Sequence, residues 1–475
     1  MDQITYAVDN SAILYLALMR KRHTNVYRFT MTLKHMVDPV LLQQAVDRTY
    51  KRFPTIIAGF RPDFFQYTLI PAAAAPVVQP DPGCLVTMTP EEIRTCAYRI
   101  YYSGRDVSLE AFHAVTDGYG AIASFTTLIA EYLRLRHHMD IPVCQTLRSL
   151  EEDPQNHELE DAYLSSQAGK PLHLPSRYAY QLPGKYSESL VHTVARTYPT
   201  TAVVAAAKKQ GVSLTALLSG VMASSIMEVQ QRHRQKLRPV RIMVPVDLRR
   251  MFDSATLRNF ILYALPTMEP GEEKLPLREL LRRFHAQMRE QLDPKRMAAI
   301  MAYNVRTQAS FFFRAIPRAL KCAVMRLIYK YFGESNSSIT LTNLGNVTFP
   351  EEMAPPCGGD AVHPDPPGRF PLQLRRHRRR RQAHRHPQPL PPPPGAGGRV
   401  LRKAGGSAGR SLILQNSLSC LSALLSIPLA SPTGGGGPRS GGGGVPPIEG
   451  HSPSQLSLTA PSKRGPRVRV FVLLT

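Results

Sequence analysis

Residues 106–120 read DVSLEAFHAVTDGYG, and the sense given to the last nine of them, FHAVTDGYG, decides what kind of chain this is. Apolar and polar residues alternate from Asp106 to His113, which predicts a strand. Ile122, Phe125, Leu128, Ile129, Tyr132 and Leu133 then recur at helical spacing and predict a helix with one apolar face. His113 therefore stands at the carboxyl end of a strand, at the mouth of any crevice the sheet borders. An imidazole, with an ordinary pKa of roughly 6.5, can accept a proton near neutrality and return it. Asp117 falls inside the turn and is expected to hold the loop, through backbone amides or a distant arginine, rather than to touch a substrate. Gly118 and Gly120 are expected to permit positive φ and close approach of a ligand. Alone, His-x3-Asp-Gly also suits a purely structural turn.

Outward from this stretch, strand and helix signals alternate. NVYRFTMTL (25–33), FFQYTLI (64–70) and AYRIYYS (97–103) predict strands. Asp38-Pro39 supplies an N-cap and a first-turn proline for a helix carrying Leu42, Ala45, Val46, Thr49 and Phe53, which Pro54 ends. Residues 140–190 hold EEDPQNHELED, several prolines and few aliphatic runs, as a crossover linker does. A second segment follows: an Ala-rich helix over 201–210 with Gly211 at its C-cap, strands VRIMVPVDL (240–248) and NFILYALPTM (259–268), an amphipathic helix over 277–291, and a strand SSITLTNLGNV (337–347) running into a turn. VSLTALLSGVMASSIMEV (212–229) has nearly the length of a membrane span. Its four serines, threonine, glycine and glutamate point instead to a buried helix and no membrane span.

The formal charge of +24 suggests nucleic acid until its distribution is seen. Residues 355–475 hold 17 Lys and Arg against 3 Asp and Glu, and residues 1–354 hold 42 against 32. A modestly basic body suits an anionic small ligand such as a phosphate-bearing co-substrate. Six scattered cysteines (84, 96, 144, 322, 357, 420) form no CxxC pair and no Cys/His cluster of zinc spacing. Free thiols, a reducing cytoplasmic compartment and no metal are expected. No basic n-region or cleavage site marks a signal peptide.

Two later stretches complete the pattern: PVDLRRMFDSATLRNFILYALP (245–266), with arginines at a strand's end before a polar loop, and LTNLGNV (341–347). In the order H-x3-D-G, PVDLR…NF, TNLG, the chain over roughly residues 5–350 resembles the chloramphenicol acetyltransferase-like superfamily, which includes condensation domains, plant-type acyltransferases and alcohol acetyltransferases. The bacterial alcohol-acetyltransferase-like branch looks most similar. The resemblance implies an α/β fold of two similar domains with the active site in a tunnel between them. It implies domains over 1–150 and 191–354, joined by a linker over 151–190. His113 then matches the general base that deprotonates an alcohol or amine as it attacks a thioester. The acyl group, expected to be acetyl, passes from coenzyme A without a covalent intermediate. No cofactor is bound, and acyl-CoA is a co-substrate. Asp117 matches a structural aspartate paired with an arginine, here Arg249, with Arg250 as the alternative. Gly118 supplies space, and Thr342 and Asn343 are candidate oxyanion or substrate contacts. Condensation domains usually carry a second histidine just before the catalytic one. Phe112 stands there instead, which favours a stand-alone enzyme over one served by a carrier protein.

Beyond about residue 354 the text changes. Residues 355–475 hold 20 of the 42 prolines, 19 of the 31 glycines and none of the tyrosines. Such composition predicts a disordered tail, and Arg/Pro/Gly/Ala-rich text is what a GC-rich gene gives when read out of frame. The second domain would then be incomplete, since the family normally continues past the TNLG strand. GGSAG (405–409) matches a nucleophile-elbow pattern but lacks the strand and helix that the elbow needs. Two alternatives to an acyltransferase stay open: a catalytically inactive binding or scaffold protein of this fold, and a nucleic-acid binder acting through the tail.

Overall fold

The computed structural model describes residues 4–19, 25–174, 176–182, 195–232, 236–329, 333–344, 349–353 and 467–471. The first half opens with β1 (Tyr6–Ala7) and α1 (Asn10–Leu18), then β2 (Val26–Thr32) and α2 (Pro39–Thr49). Asp38 caps α2 by accepting from the amides of Val40 and Leu41, so the Asp-Pro start acts as its chemistry predicts. β3 (Ala58–Pro62), β4 (Tyr67–Pro71), β5 (Gln79–Pro80), α3 (Pro90–Thr95), β6 (Tyr98–Ser103), β7 (Asp106–Phe112) and α4 (Gly118–His137) follow. A four-stranded sheet runs β2-β7-β6-β5, and a second sheet runs β1-β4-β3. The strand expected over 64–70 starts later, because Phe64 and Phe65 form the exposed turn between β3 and β4.

Both faces of β7 are buried. Val107, Leu109 and Ala111 join the core of the first half. On the other face Glu110 is wholly buried and held between Arg28 (2.6 Å) and Arg99 (3.2 Å). Its alternating pattern is therefore that of a central strand with an ion-paired second face, not of a half-exposed one. Burial pushes the Glu110 carboxyl above its usual range against the pull of both arginines.

The linker is more structured than its composition suggests. It contains α5 (Asn156–Leu159) and α6 (Ala162–Ser166) and straps the two halves together. Glu158 receives Arg52 and Arg148 of the first half, each at 2.7 Å, while its carbonyl accepts from Leu257 of the second half. The Tyr163 hydroxyl donates to the Ile261 carbonyl at 2.6 Å and accepts from the Ile261 amide at 2.9 Å.

The second half contains β8 (Ala195–Pro199), α7 (Thr200–Gln210), α8 (Leu214–Arg232), β9 (Val240–Asp247), α9 (Arg249–Phe252), β10 (Ile261–Ala264), β11 (Thr267–Met268), α10 (Leu277–Gln291), α11 (Pro294–Ala309), α12 (Phe311–Ala315), α13 (Arg318–Ile328) and β12 (Ile339–Thr340). β9 is central: β10 and β11 pair with it antiparallel and β12 parallel. The single strand expected over 259–268 is broken into β10 and β11, the break falling at Leu265-Pro266. The helices over 294–328 answer to no element read in the sequence. Gly211 ends α7 with φ +71°, as its C-cap role requires. α8 is largely buried in the second core. Among the described residues no single helix is long and apolar enough to cross a membrane, although α7 and α8, bent by 79°, pass that test as a pair. Cys84, Cys96, Cys144 and Cys322 are free, and Cys357 and Cys420 lie outside the described residues.

The expectation of a disordered tail needs one correction. Residues 467–471 form β13 (Arg467–Phe471), antiparallel to β8 in a two-stranded sheet. The alternation in RVRVF is that of a strand. The rest of 355–475, including GGSAG and the arginine run, lies outside the described residues, as do 345–348 of the LTNLGNV turn.

Candidate active site

β7 ends at Phe112, and its register opposite β2 sets the histidine. Phe112 pairs with Val26, and the next amide, that of His113, donates to the Asn25 carbonyl at 2.7 Å. Phe112 is wholly buried and meets Phe60 edge to face at 6.2 Å. Strand alternation sends it into the core and the residue after it out of the core. A second histidine in place of Phe112 would thus be a buried polar group, not a partner for His113.

His113 lies where the two halves meet. Tyr15 of α1 stacks on its ring at 4.4 Å and 20°, and Tyr27 of β2 meets it edge-on at 4.9 Å. The Tyr27 hydroxyl reaches the carbonyls of Thr116 and Asp117 at 3.1 and 3.2 Å, so the same tyrosine supports ring and loop. From the second half, Asn259 brings its Oδ1 to 3.3 Å from His113 Nδ1. The Asn259 amide nitrogen faces the Ala114 carbonyl at 3.2 Å and Asp9 Oδ2 at 3.4 Å. With two acceptors on that side, the nitrogen must sit there and the oxygen must face the histidine. Nδ1 therefore carries the ring proton, and Nε2 keeps a free lone pair. Burial lowers the His113 pKa below its ordinary value, opposed by its own backbone carbonyl, the Asp117 charge and Asn259. The residue as a whole is half-buried rather than sealed in the core.

Asp117 does what its place in the turn suggests. It caps α4 by accepting from the amides of Tyr119 (3.0 Å) and Gly120 (3.4 Å). Its two oxygens take a bidentate pair from Arg249 at 2.9 and 3.1 Å, and Oδ2 also accepts from the Phe260 amide at 2.9 Å. Both partners are buried, Asp117 to 2% exposure and Arg249 to 4%. The remaining donors of Arg249 go to the carbonyls of Thr256 and Arg258 and to Asp247, and its guanidinium lies 4.5 Å from the centre of the Tyr119 ring. The clamp joins the first half to the second across 132 residues. Arg250 is exposed and takes no part in it.

The two glycines differ from expectation. Neither has positive φ, so both serve close approach alone. A Cβ at Gly118 would lie 3.1 Å from Leu344 Cδ2, a side chain that can yield. A Cβ at Gly120 would lie 2.1 Å from the Leu257 carbonyl and 2.2 Å from Thr116 Oγ1, which themselves share a 2.6 Å hydrogen bond. Gly120→Ala is therefore expected to cost ~3 kcal/mol or more by forcing backbone apart, and Gly118→Ala below about 1 kcal/mol. Chemical denaturation of the two variants checks the order.

Thr342 and Asn343 are exposed. Asn343 donates to Thr215 Oγ1 at 3.1 Å, and the next residue, Leu344, reaches over Gly118. That strand end thus borders the start of α4.

Asn259, Tyr15, Tyr27 and Asp9 are absent from the residues singled out by sequence, although Asn259 opens the NF pair of the second quoted stretch. Asp9 caps α1, accepting from the Ala12 amide at 2.8 Å, and lies 3.8 Å from Arg258. Burial raises its carboxyl pKa against the pull of Arg258.

Residues 192–321 match the family described as phthiocerol/phthiodiolone dimycocerosyl transferase C-terminus. No curated protein matches the chain. Among solved structures, polyketide synthase associated protein 5 from Mycobacterium tuberculosis is 16% identical, with 58% of this chain and 72% of that one covered and a TM-score of 0.39. F. graminearum TRI101 complexed with ethyl coenzyme A is 12% identical, with 74% and 87% covered and a TM-score of 0.49. The epimerization domain from the third module of tyrocidine synthetase B is 12% identical, with 65% and 76% covered and a TM-score of 0.42. The match over 192–321 makes that part of the chain similar to a transferase family, and supports the likeness to chloramphenicol acetyltransferase-like and condensation-domain acyltransferases.

Proposed function

We propose that the chain moves an acyl group, acetyl being the first candidate, from a coenzyme A thioester directly to an alcohol or amine, with His113 as the general base. The observation that carries this reading is the bond from His113 Nδ1 to Asn259 Oδ1, which leaves Nε2 as the basic nitrogen at the joint of the halves. In the reaction, Nε2 takes the proton of the acceptor O–H or N–H as that atom attacks the thioester carbonyl. The tetrahedral oxyanion then collapses, the C–S bond breaks, and the imidazolium returns its proton to the departing thiolate. No residue need be acylated. Asp117 is assigned no contact with substrate, since its carboxylate is taken up by Arg249 and three amides. Thr342 and Asn343 are proposed, by their place beside the start of α4, as polar contacts for the substrate or the developing oxyanion.

The direct test is turnover of acyl-CoA donors by the purified chain against a panel of alcohols and amines, with His113→Gln as control. Acceptor-dependent release of coenzyme A by the unmodified chain alone supports the proposal. Equal background release from both proteins favours the scaffold alternative.

Asn259 serves as a positioning residue. Removing its amide from Nδ1 takes away a bond that raises the His113 pKa and frees the ring to rotate. In Asn259→Ala the acid limb of the rate–pH profile should move to lower pH while kcat falls about tenfold. A loss of stability with an unmoved limb would reduce Asn259 to a purely structural role.

A further inference from the structure

Asp9 is 1% exposed and sits just before α1, where the two halves meet. Its two oxygens serve different partners. Oδ1 accepts from the Ala12 amide at 2.8 Å and so caps α1. Oδ2 accepts from Asn259 Nδ2 at 3.4 Å. Both paths end on one imidazole. Along the first, the capped α1 carries Tyr15, which stacks on the His113 ring at 4.4 Å. Along the second, Asn259 turns its Oδ1 to His113 Nδ1 at 3.3 Å.

An asparagine amide is nearly symmetric in shape, so its neighbours decide which end faces the histidine. Two acceptors hold the nitrogen away from the ring: the Ala114 carbonyl at 3.2 Å and Asp9 Oδ2. The Ala114 carbonyl belongs to the same turn as His113, and Asp9 adds its preference from outside that turn. With the amide turned over, its nitrogen would donate to Nδ1. The ring proton would then move to Nε2, and the lone pair that the acceptor needs would be lost there. Charge holds the carboxylate in place. Arg258 is 3% exposed, lies 3.8 Å from Oδ2 and donates to the Ala7 carbonyl. It precedes Asn259 in the chain, so one stretch brings both the cation and the amide to Asp9.

We infer that Asp9 is a positioning residue for His113, acting through Asn259 on the ring tautomer and through the capped α1 on the stacked Tyr15. Its effect on rate rests on His113 being the base, whereas its effect on the ring is read without turnover.

Two substitutions separate this role from structural support. Both remove the Asp9 charge, and Asp161 keeps a carboxylate facing Arg258 in each. Asp9→Ser keeps a cap for α1, and its one oxygen leaves the Asn259 nitrogen to the Ala114 carbonyl. Asp9→Asn is nearer in shape, yet its single oxygen can serve only one path. Held on the Ala12 amide, it sets its own NH2 against that of Asn259 and drives that amide to turn over. Support of the fold alone therefore makes Asp9→Asn the milder change, and positioning makes it the harsher.

The test is 15N NMR of the full chain labelled at histidine, at a pH where the ring is neutral, with His113→Gln identifying the signal. It is run beside kcat and KM with an acyl-CoA, after melting transitions have shown both variants folded. Adding Arg258→Met to each variant repeats the comparison with the buried cation removed. The expected ring is protonated at Nδ1 in the unmodified chain and in Asp9→Ser, and gains the Nε2-protonated form in Asp9→Asn. In Asp9→Asn kcat should fall about tenfold with KM unchanged, and in Asp9→Ser it should fall less. A ring that keeps its Nδ1 proton in Asp9→Asn overturns the proposal. So does an equal fall of kcat in both variants, which would make the lost charge the cause. The tautomer shift without turnover in any protein would support the placing of the ring by Asp9 and count against the acyl transfer.

Discussion

Arg249→Met is expected to lower the unfolding free energy by about 3–5 kcal/mol. The substitution keeps much of the apolar stem but removes the guanidinium paired with Asp117, which is 2% exposed. The carboxylate would keep amides from Tyr119, Gly120 and Phe260, which offset part of its desolvation. The carbonyls of Thr256 and Arg258 would lose their donor as well. Since Asp117 caps α4 and Arg249 belongs to α9, the variant loosens the joint between the halves as well as one turn. Arg250→Met removes an exposed charge one residue away and should change stability by less than about 0.5 kcal/mol. Urea denaturation of the pair is decisive: equal losses in both would mean that the clamp does not hold the fold. Adding Asp117→Asn to Arg249→Met should recover part of the loss, because no unpaired charge is then buried.

His113→Gln is expected to behave oppositely, leaving stability within about 1 kcal/mol and lowering kcat by about 10²–10⁴-fold. Glutamine can keep a donor toward Asn259 Oδ1 but offers no group that accepts a proton near neutrality. KM should change little, because the proton moves only in the transition state. A variant that keeps full activity would remove His113 from the chemistry, whatever its place in the fold.

The places of His113 and Asp117 in the fold were legible in the sequence because strand, turn and helix are local. Alternation over 106–113 and helical spacing from Ile122 place one residue at a strand's end and the other in an N-cap. Arg249 was legible through PVDLR, and its preference over Arg250 follows from burial at the start of α9. Asn259 was hidden because its role depends on contacts 146 residues away in the chain. Nothing in NF states that the amide will face a histidine. Tyr15 and Tyr27 likewise carry ordinary core spacing, and only the packing of α1 and β2 turns them toward the ring. Of the helices over 294–328, α13 escaped because it reverses the usual rule, its apolar row facing out and its cations in, whereas α11 has an ordinary Asp-Pro start and a buried apolar face. The broken strand at Leu265-Pro266 reflects a proline that cannot donate within a ladder. Glu110 shows the limit of alternation, since an ion-paired buried face reads like a wet one.

The most direct test of His113 as the base is the pH dependence of kcat/KM for acyl transfer from an acyl-CoA. Burial of the ring, from Tyr15 and Tyr27 on its sides, outweighs the Asp117 charge and the bonds to Asn259 and to its own carbonyl. The neutral form should therefore persist below the ordinary histidine range. The predicted profile falls on the acid side with a single midpoint below the ordinary histidine value of about 6.5. The His113→Gln protein should show no such limb. A midpoint above the ordinary histidine value, or an acid limb that survives in His113→Gln, would contradict the assignment.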